Sequence, residues 1–293
     1  MIKIAIVFAY ENYIDNAAEI FEEHSRSEVM YNNEECTWEE VICPQSQLKD
    51  LKLDADVIMA RGIYAEMLEK YIRDKPVVEI PFLATDLLEA LQECRARYGD
   101  QVKVGIIAAK NMVLGSESMG RLAGLSVNTY ILDERWNVES LVNKAVADGC
   151  NVIAGGTGAN NYAEMIGVRH LFIKTSKECF WRAITSAKRV VHIARMEQER
   201  SDKLQLILDA SQNGIISLDA HKVIDTVNQS ACKILGIPEQ QLSGIKAQDT
   251  TLPLPVKKLF VDNHEYTDEI IRFHGSALTF RKYFIRQGNV NAG

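Results

Sequence analysis

The chain has 293 residues, 47 % of them hydrophobic and 25 % charged, an ordinary globular balance with room for two or three domains. A formal net charge of −7 argues against a nucleic-acid-binding face, which needs clustered lysine and arginine. No apolar run reaches the roughly 18 residues of a membrane span, and Met1 to Phe8 runs straight into a strand without a signal-peptide n-region, so a cytoplasmic location and no membrane contact are expected.

Ile2 to Phe8 is a continuous β-branched, apolar run, the pattern of a parallel strand covered on both faces. A helix follows with Ile14, Ala17, Ala18 and Phe21 on one stripe, then a short strand over 41–43 before Pro44, and strands over 56–60 and 76–80. Helical spacing over 64–72 separates the last two. Thr85 or Asp86 can cap the next helix, which is lined by Leu87, Leu88, Leu91 and Cys94 and ended by Gly99. The cycle then repeats as strand 102–108, helix 112–123, strand 127–132, a helix carrying Val138, Leu141, Val142, Ala145 and Val146, and strands 151–154 and 170–173.

The repetition is also written in residues. Lys3-Ile-Ala-Ile-Val7 corresponds to Lys103-Val-Gly-Ile-Ile107, and Tyr64-Ala-Glu-Met67 returns as Tyr162-Ala-Glu-Met165. Strands alternating with helices at this spacing predict α/β architecture: two Rossmann-like lobes with parallel sheets around a cleft. Helical periodicity then runs from Ser176 to about Ser211, with a polar middle over 196–203 and a renewed apolar stripe at Leu204, Ile207 and Leu208. That stripe, before a compact domain, predicts a homodimer whose contact includes residues 190–211. Beyond it, a hairpin around Ala220-His221, a small helix to Gly236, and antiparallel strands over 265–273 and 277–286 predict a separate α+β domain.

In their order and spacing, Asp56-Val-Ile-Met-Ala-Arg-Gly62, Pro76-Val-Val-Glu-Ile80, Asp86-Leu-Leu-Glu-Ala-Leu91 and Ile153-Ala-Gly-Gly156 resemble the N-terminal sensor domain of the propionate-catabolism activator family of bacterial transcription regulators. Gly214-Ile-Ile-Ser-Leu-Asp219, Asn228-Gln-Ser-Ala231 and Leu235-Gly-Ile-Pro-Glu239 resemble a PAS domain. The expected organisation is a two-lobed receptor at 1–195, with lobe one about 1–83 plus the C-terminal helix and lobe two about 100–175. A connector helix at 196–212 and a PAS domain at 204–293 follow. The resemblance implies an activator that reaches DNA and sigma-54 RNA polymerase through an ATPase and a helix-turn-helix. This sequence holds no G-x-x-x-x-G-K-[ST] phosphate loop, and it ends where a PAS domain normally has one more strand. A fragment or truncated product with an incomplete PAS domain is therefore expected, and the implied ligand is a methylcitrate-type tricarboxylate.

Strand C-terminal loops should line the cleft. The candidates for ligand contact are Tyr10, Arg61, Gly62, Thr85 and Asp86 in lobe one, and Lys110, Asn111, Gly155, Gly156 and Thr157 in lobe two. Several open a helix, so backbone N–H groups and the positive helix end favour an anion. Arg61 adds a planar fork suited to a carboxylate. The plainer readings are an ion pair of Arg61 with Glu11 or Asp86, a tight turn at the glycines, a solvated Lys110, and a Tyr-Ala-Glu-Met repeat that only records duplication and packing.

Two lobes around a cleft also describe aspartate and glutamate racemases and chelatase-like enzymes. A racemase needs a thiol from each lobe facing the substrate. Cys36, Cys43, Cys94 and Cys150 are read as preceding or lying within strands and helices, and all six cysteines as reduced core residues. No catalytic residue, metal or cofactor is expected, nor a haem or flavin in the PAS domain. A binding module for a small carboxylate explains the cleft.

Overall fold

The computed structural model divides into two compact units, Met1–Arg195 and Met196–Gly293. It describes residues 1–9, 17–26, 35–133, 137–250, 252, 254–262, 264–273, 275–284, 286–287 and 290–291.

In the first unit, β1 (Ile2–Phe8) lies at the centre of a four-stranded parallel sheet of order β2-β1-β3-β4, with β2 (Cys36–Ile42), β3 (Val57–Ala60) and β4 (Val77–Glu79). Strand alternation sends Ile4, Ile6 and Phe8 to one face, where α1 (Ala17–Arg26) covers them, and Val7 to the other, where α2 (Ile63–Tyr71) and a 3-10 turn over Gln45–Asp50 pack. Edge strand β2 is longer than the sequence suggests. Glu39 and Glu40 disguise it, whereas Trp38 stacks on Phe21 with ring centroids 4.8 Å apart. On α1 the buried stripe is Ala17, Ile20, Phe21 and His24, with Ala18 exposed; Ile14 lies outside the described residues.

Lobe two repeats the topology. Its sheet has the order β6-β5-β7-β8, built from β5 (Lys103–Ala108), β6 (Ser126–Ile131), β7 (Val152–Gly155) and β8 (Arg169–Phe172). One face carries α3 (Ala84–Tyr98) and α4 (Ser116–Ala123), and the other carries α5 (Val138–Ala147) and α6 (Thr157–Met165). The predicted helix over 112–123 is two pieces, a 3-10 turn at Lys110–Met112 and then α4, because Gly115 takes φ 80° between them.

Helices are exchanged between the lobes. Although α3 follows lobe one in sequence, its Leu87, Leu91 and Cys94 pack with Val104 and Ile106 of β5. The long α7 (Lys177–Ala210) follows lobe two, yet its Phe180, Ala183, Ile184 and Ala187 fill lobe one's core beside Ile4 and Ile6. The N-cap of α3 is Leu83 rather than Thr85 or Asp86. Asp86 sits one turn in and accepts the Leu83 N–H at 3.2 Å, leaving Thr85 exposed.

The second unit begins with the C-terminal part of α7. β9 (Ile216–Leu218) and β10 (Ile224–Val227) form the expected hairpin, and α8 (Gln229–Leu235) follows it. Then come α9 (Leu254–Val261), the antiparallel pair β11 (Tyr266–Phe273) and β12 (Ser276–Lys282), and the short pair β13 (Arg286–Gln287) and β14 (Val290–Asn291). β12 thus stops short of the predicted 286. Asn228 fastens this unit: its Oδ1 caps α8 by accepting from Ala231 N at 2.9 Å and also accepts from Ile215 N, while its Nδ2 donates to Leu208 O and Asn213 O.

Candidate functional site

All eight strands of the first unit are parallel within their sheets, so the loops that follow them gather at one edge of each lobe. Between those edges is a cavity of about 100 Å³, reached by the ends of β1, β3, β5 and β7 and by the first residues of α2 and α6. Helices that begin at a cavity wall aim their unsatisfied N–H groups into it. Phe8, Ile63, Ile107, Met112 and Leu132 make most of the wall apolar.

Arg61 supplies the charge. It follows β3 directly, is only 6 % exposed, and reaches into lobe two, where its Nη1 donates to Thr175 Oγ1 at 2.5 Å and to Ile173 O at 3.4 Å. Its guanidinium lies 5.5 Å from the Phe82 ring centroid, and Phe82 packs on lobe two's core. One side chain therefore ties both lobes together at the cavity. Asp86, offered above as its ion-pair partner, instead accepts the Cys179 thiol at 2.9 Å where the exchanged helices α3 and α7 begin.

The other predicted residues divide. Gly62, Gly156 and Thr157 line the cavity with Arg61. Gly62 has φ 54°, and a Cβ there would lie 2.9 Å from Met112 Sδ, so both conformation and space select glycine. Gly155 is a packing glycine, since its Cβ would meet Ile107 O at 2.7 Å. Around Gly156 nothing lies within 4 Å of a built Cβ. Thr85, Asp86, Lys110 and Asn111 are not on the cavity wall, and Tyr10 lies outside the described residues.

Three groups escape the sequence reading. Glu79, at the end of β4, accepts Asn111 Nδ2 at 2.5 Å and so makes a second tie between lobes. Burial pushes its carboxyl up, opposed by the hydrogen bonds from Asn111 and the Gly62 backbone. Asn160 on α6 holds the cavity rim by donating its Nδ2 to both Gly155 O and Gly156 O at 2.8 Å. Phe82 follows Pro81 in a short link. None carries a local signal: each is one polar or aromatic residue whose partner is remote in sequence, although an Asn four residues after a Gly-Gly pair at a strand end is a pattern worth testing.

Cys43 needs correction. Because β2 ends at Ile42, this thiol does sit just past a strand's C-terminal end. It is 3 % exposed in lobe one's core, its S–H donates to Pro44 O at 3.6 Å, and burial raises its pKa. No cysteine lines the cavity. Among the described residues no group of three or more His, Cys, Asp or Glu could hold a metal ion, and no helix is long and apolar enough to cross a membrane.

The model of the propionate catabolism activator family matches residues 46–197, and that of the PAS fold matches residues 202–260. The chain belongs to the propionate catabolism activator family, a family of transcription regulators, and carries a PAS module after its α/β receptor. An NtrC family transcriptional regulator from Clostridium acetobutylicum superimposes with a TM-score of 0.53 at 17 % identity, covering 66 % of this chain and 98 % of that one, and confirms the fold. An extracellular ligand-binding receptor from Rhodopseudomonas palustris HaA2 matches at 15 % identity, over 58 % of this chain and 59 % of that one, with a TM-score of 0.30. An aspartate racemase homologue from Pyrococcus horikoshii OT3 matches at 12 % identity, over 64 % and 99 %, with a TM-score of 0.23. The last two similarities are too low to carry an argument. No curated protein matches the chain significantly.

Proposed function

We propose that the chain is the sensory portion of a cytoplasmic, ligand-responsive transcription activator that binds a small carboxylate in the interlobe cleft and performs no chemistry on it. The observation behind this reading is Arg61: a buried cation at the cavity wall, between two helix N-termini, whose bonds join the lobes. A carboxylate meeting it is held by both lobes at once and biases their closure, since a ligand shifts an equilibrium by its differential affinity for the two states. α7 starts beside Thr175 and continues past Arg195, which makes it the natural relay. Contact with DNA and sigma-54 RNA polymerase belongs to domains other than those described here.

Thermal-shift measurements with a panel of small carboxylates test the reading. A ligand at 100 times its dissociation constant adds about 2.7 kcal/mol, and Arg61→Ala removes that gain. Hits confined to cations, or a full shift in the variant, would sink it. The proposal includes a homodimer through α7, whose Leu204, Leu206 and Ile207 are 53 %, 71 % and 59 % exposed. Light scattering of the wild type against Leu204→Glu/Ile207→Glu decides that part, a monomeric wild type at tens of micromolar, roughly where weak dimers form, being the contrary result.

A further inference from the structure

The cavity also carries information about which carboxylate fits. Among the described residues, Arg61 is the only charged side chain on its wall. The Tyr64 hydroxyl donates to Cys43 O at 3.1 Å and is committed to lobe one. What remains polar is the Thr157 hydroxyl and the backbone N–H groups opening α2 and α6, helix ends equivalent to roughly half a positive charge each. That inventory neutralises one carboxylate. A second would lie against Phe8, Ile63, Ile107 and Leu132, and an unpaired anion in apolar surroundings is strongly disfavoured. The size agrees: about 100 Å³, where one water needs roughly 10–15 Å³, holds a short acid.

We infer that the interlobe cavity takes a monocarboxylate with a short apolar body, its carboxylate at Arg61 and its hydrocarbon end against Phe8, Ile107 and Leu132, in place of a di- or tricarboxylate. This rests on the carboxylate-sensor reading above and narrows it.

Isothermal titration of the full chain with butyrate, 3-methylbutyrate, butyramide, succinate and citrate tests it, repeated on Gly156→Val. Gly156 lines the cavity, has φ −80° and has nothing within 4 Å of a built Cβ, so a valine there folds normally and projects into open space. The expected result is binding of butyrate or 3-methylbutyrate, at least tenfold weaker binding of butyramide, succinate and citrate, and at least tenfold loss for the acids in Gly156→Val. Citrate or succinate binding more tightly than butyrate, and lost in Gly156→Val, overturns the monocarboxylate inference and leaves the sensor reading standing. Butyramide matching butyrate overturns the role of charge in both. If no compound shows binding that is sensitive to Gly156→Val, the cleft is not the site and both fall.

Discussion

The two lobes are copies that differ where it counts. Both anchor the start of an inner strand in the same way: Lys3 N–H donates to Asp56 Oδ2 at 2.8 Å, and Lys103 N–H donates to Asn151 Oδ1 at 2.9 Å. Counting five residues on from each anchor reaches Arg61 in lobe one and Gly156 in lobe two. The same strand tip thus presents a charge on one side of the cavity and open space on the other. A duplicated frame creates the cleft, and divergence at one position gives it a polar end and a roomy end.

The copies also share a debt, since each lobe is completed by a helix that follows the other in sequence. Breaking that exchange should have the largest effect. Phe180 of α7 is fully buried among Ile4, Ile6 and Phe21 of lobe one, and Phe180→Ala is expected to cost about 3–5 kcal/mol. Leu91 of α3 is the counterpart in lobe two, with about 2–5 kcal/mol expected for Leu91→Ala. Denaturant unfolding measures both. A loss under about 1 kcal/mol for either, the scale of a surface substitution, would mean that lobe stands without the exchanged helix.

Neighbouring glycines sharpen the contrast at a smaller scale. Gly155→Ala places a methyl 2.7 Å from Ile107 O and 3.1 Å from Ala159 Cβ, an overpacking expected to cost about 1–3 kcal/mol. Gly156→Ala meets nothing within 4 Å and, as an N-cap substitution, should cost no more than about 1 kcal/mol. Equal losses would contradict the division of one packing glycine and one cavity glycine.

How much of this is legible in the sequence depends on whether the controlling interaction is local. The parallel strands of both lobes, the tandem arrangement and the cap at Asn228 follow from periodicity and turn chemistry, and the fold comparison agrees with them. Helix exchange leaves no such trace, because Leu87 and Phe180 are apolar whichever sheet they cover. The Tyr-Ala-Glu-Met repeat misleads in an instructive way. It occupies the second to fifth residues of α2 but the last four of α6, a displacement of four residues or about one turn. Met67 is 3 % exposed and Met165 71 % exposed, so the repeat does not mark equivalent packing. At the cavity, Arg61 and the glycines are readable as residue types at strand ends, whereas Glu79 and Asn160 are defined by partners that only folding supplies.

The smallest expected effect concerns pH, and here the contrast lies within lobe one. His24 is fully buried beside Lys188 and Thr185, and burial, followed by the Lys188 charge, lowers its pKa to about 4. The unfolded chain takes up this proton near pH 6.5 while the native protein does not, so the stability present above that pH is lost as pH falls toward 4. Glu79 has the opposite sign. Its raised carboxyl pKa means the native state binds the proton before the unfolded chain does, and stability is gained as pH falls through that raised value. The variants separate them. His24→Gln flattens the loss between pH 6.5 and 4. Glu79→Gln keeps an oxygen to accept from Asn111 and the Gly62 N–H, removes the cost of a half-buried charge, and leaves a protein at least as stable at neutral pH that has lost the small gain on acidification. Urea midpoints at several pH values read both effects. A Glu79→Gln protein that is clearly less stable at pH 7 would show that the carboxylate's charge holds the lobes together, and that the tie between Glu79 and Asn111 works by ionic attraction at the mouth of the cleft instead of by a hydrogen bond.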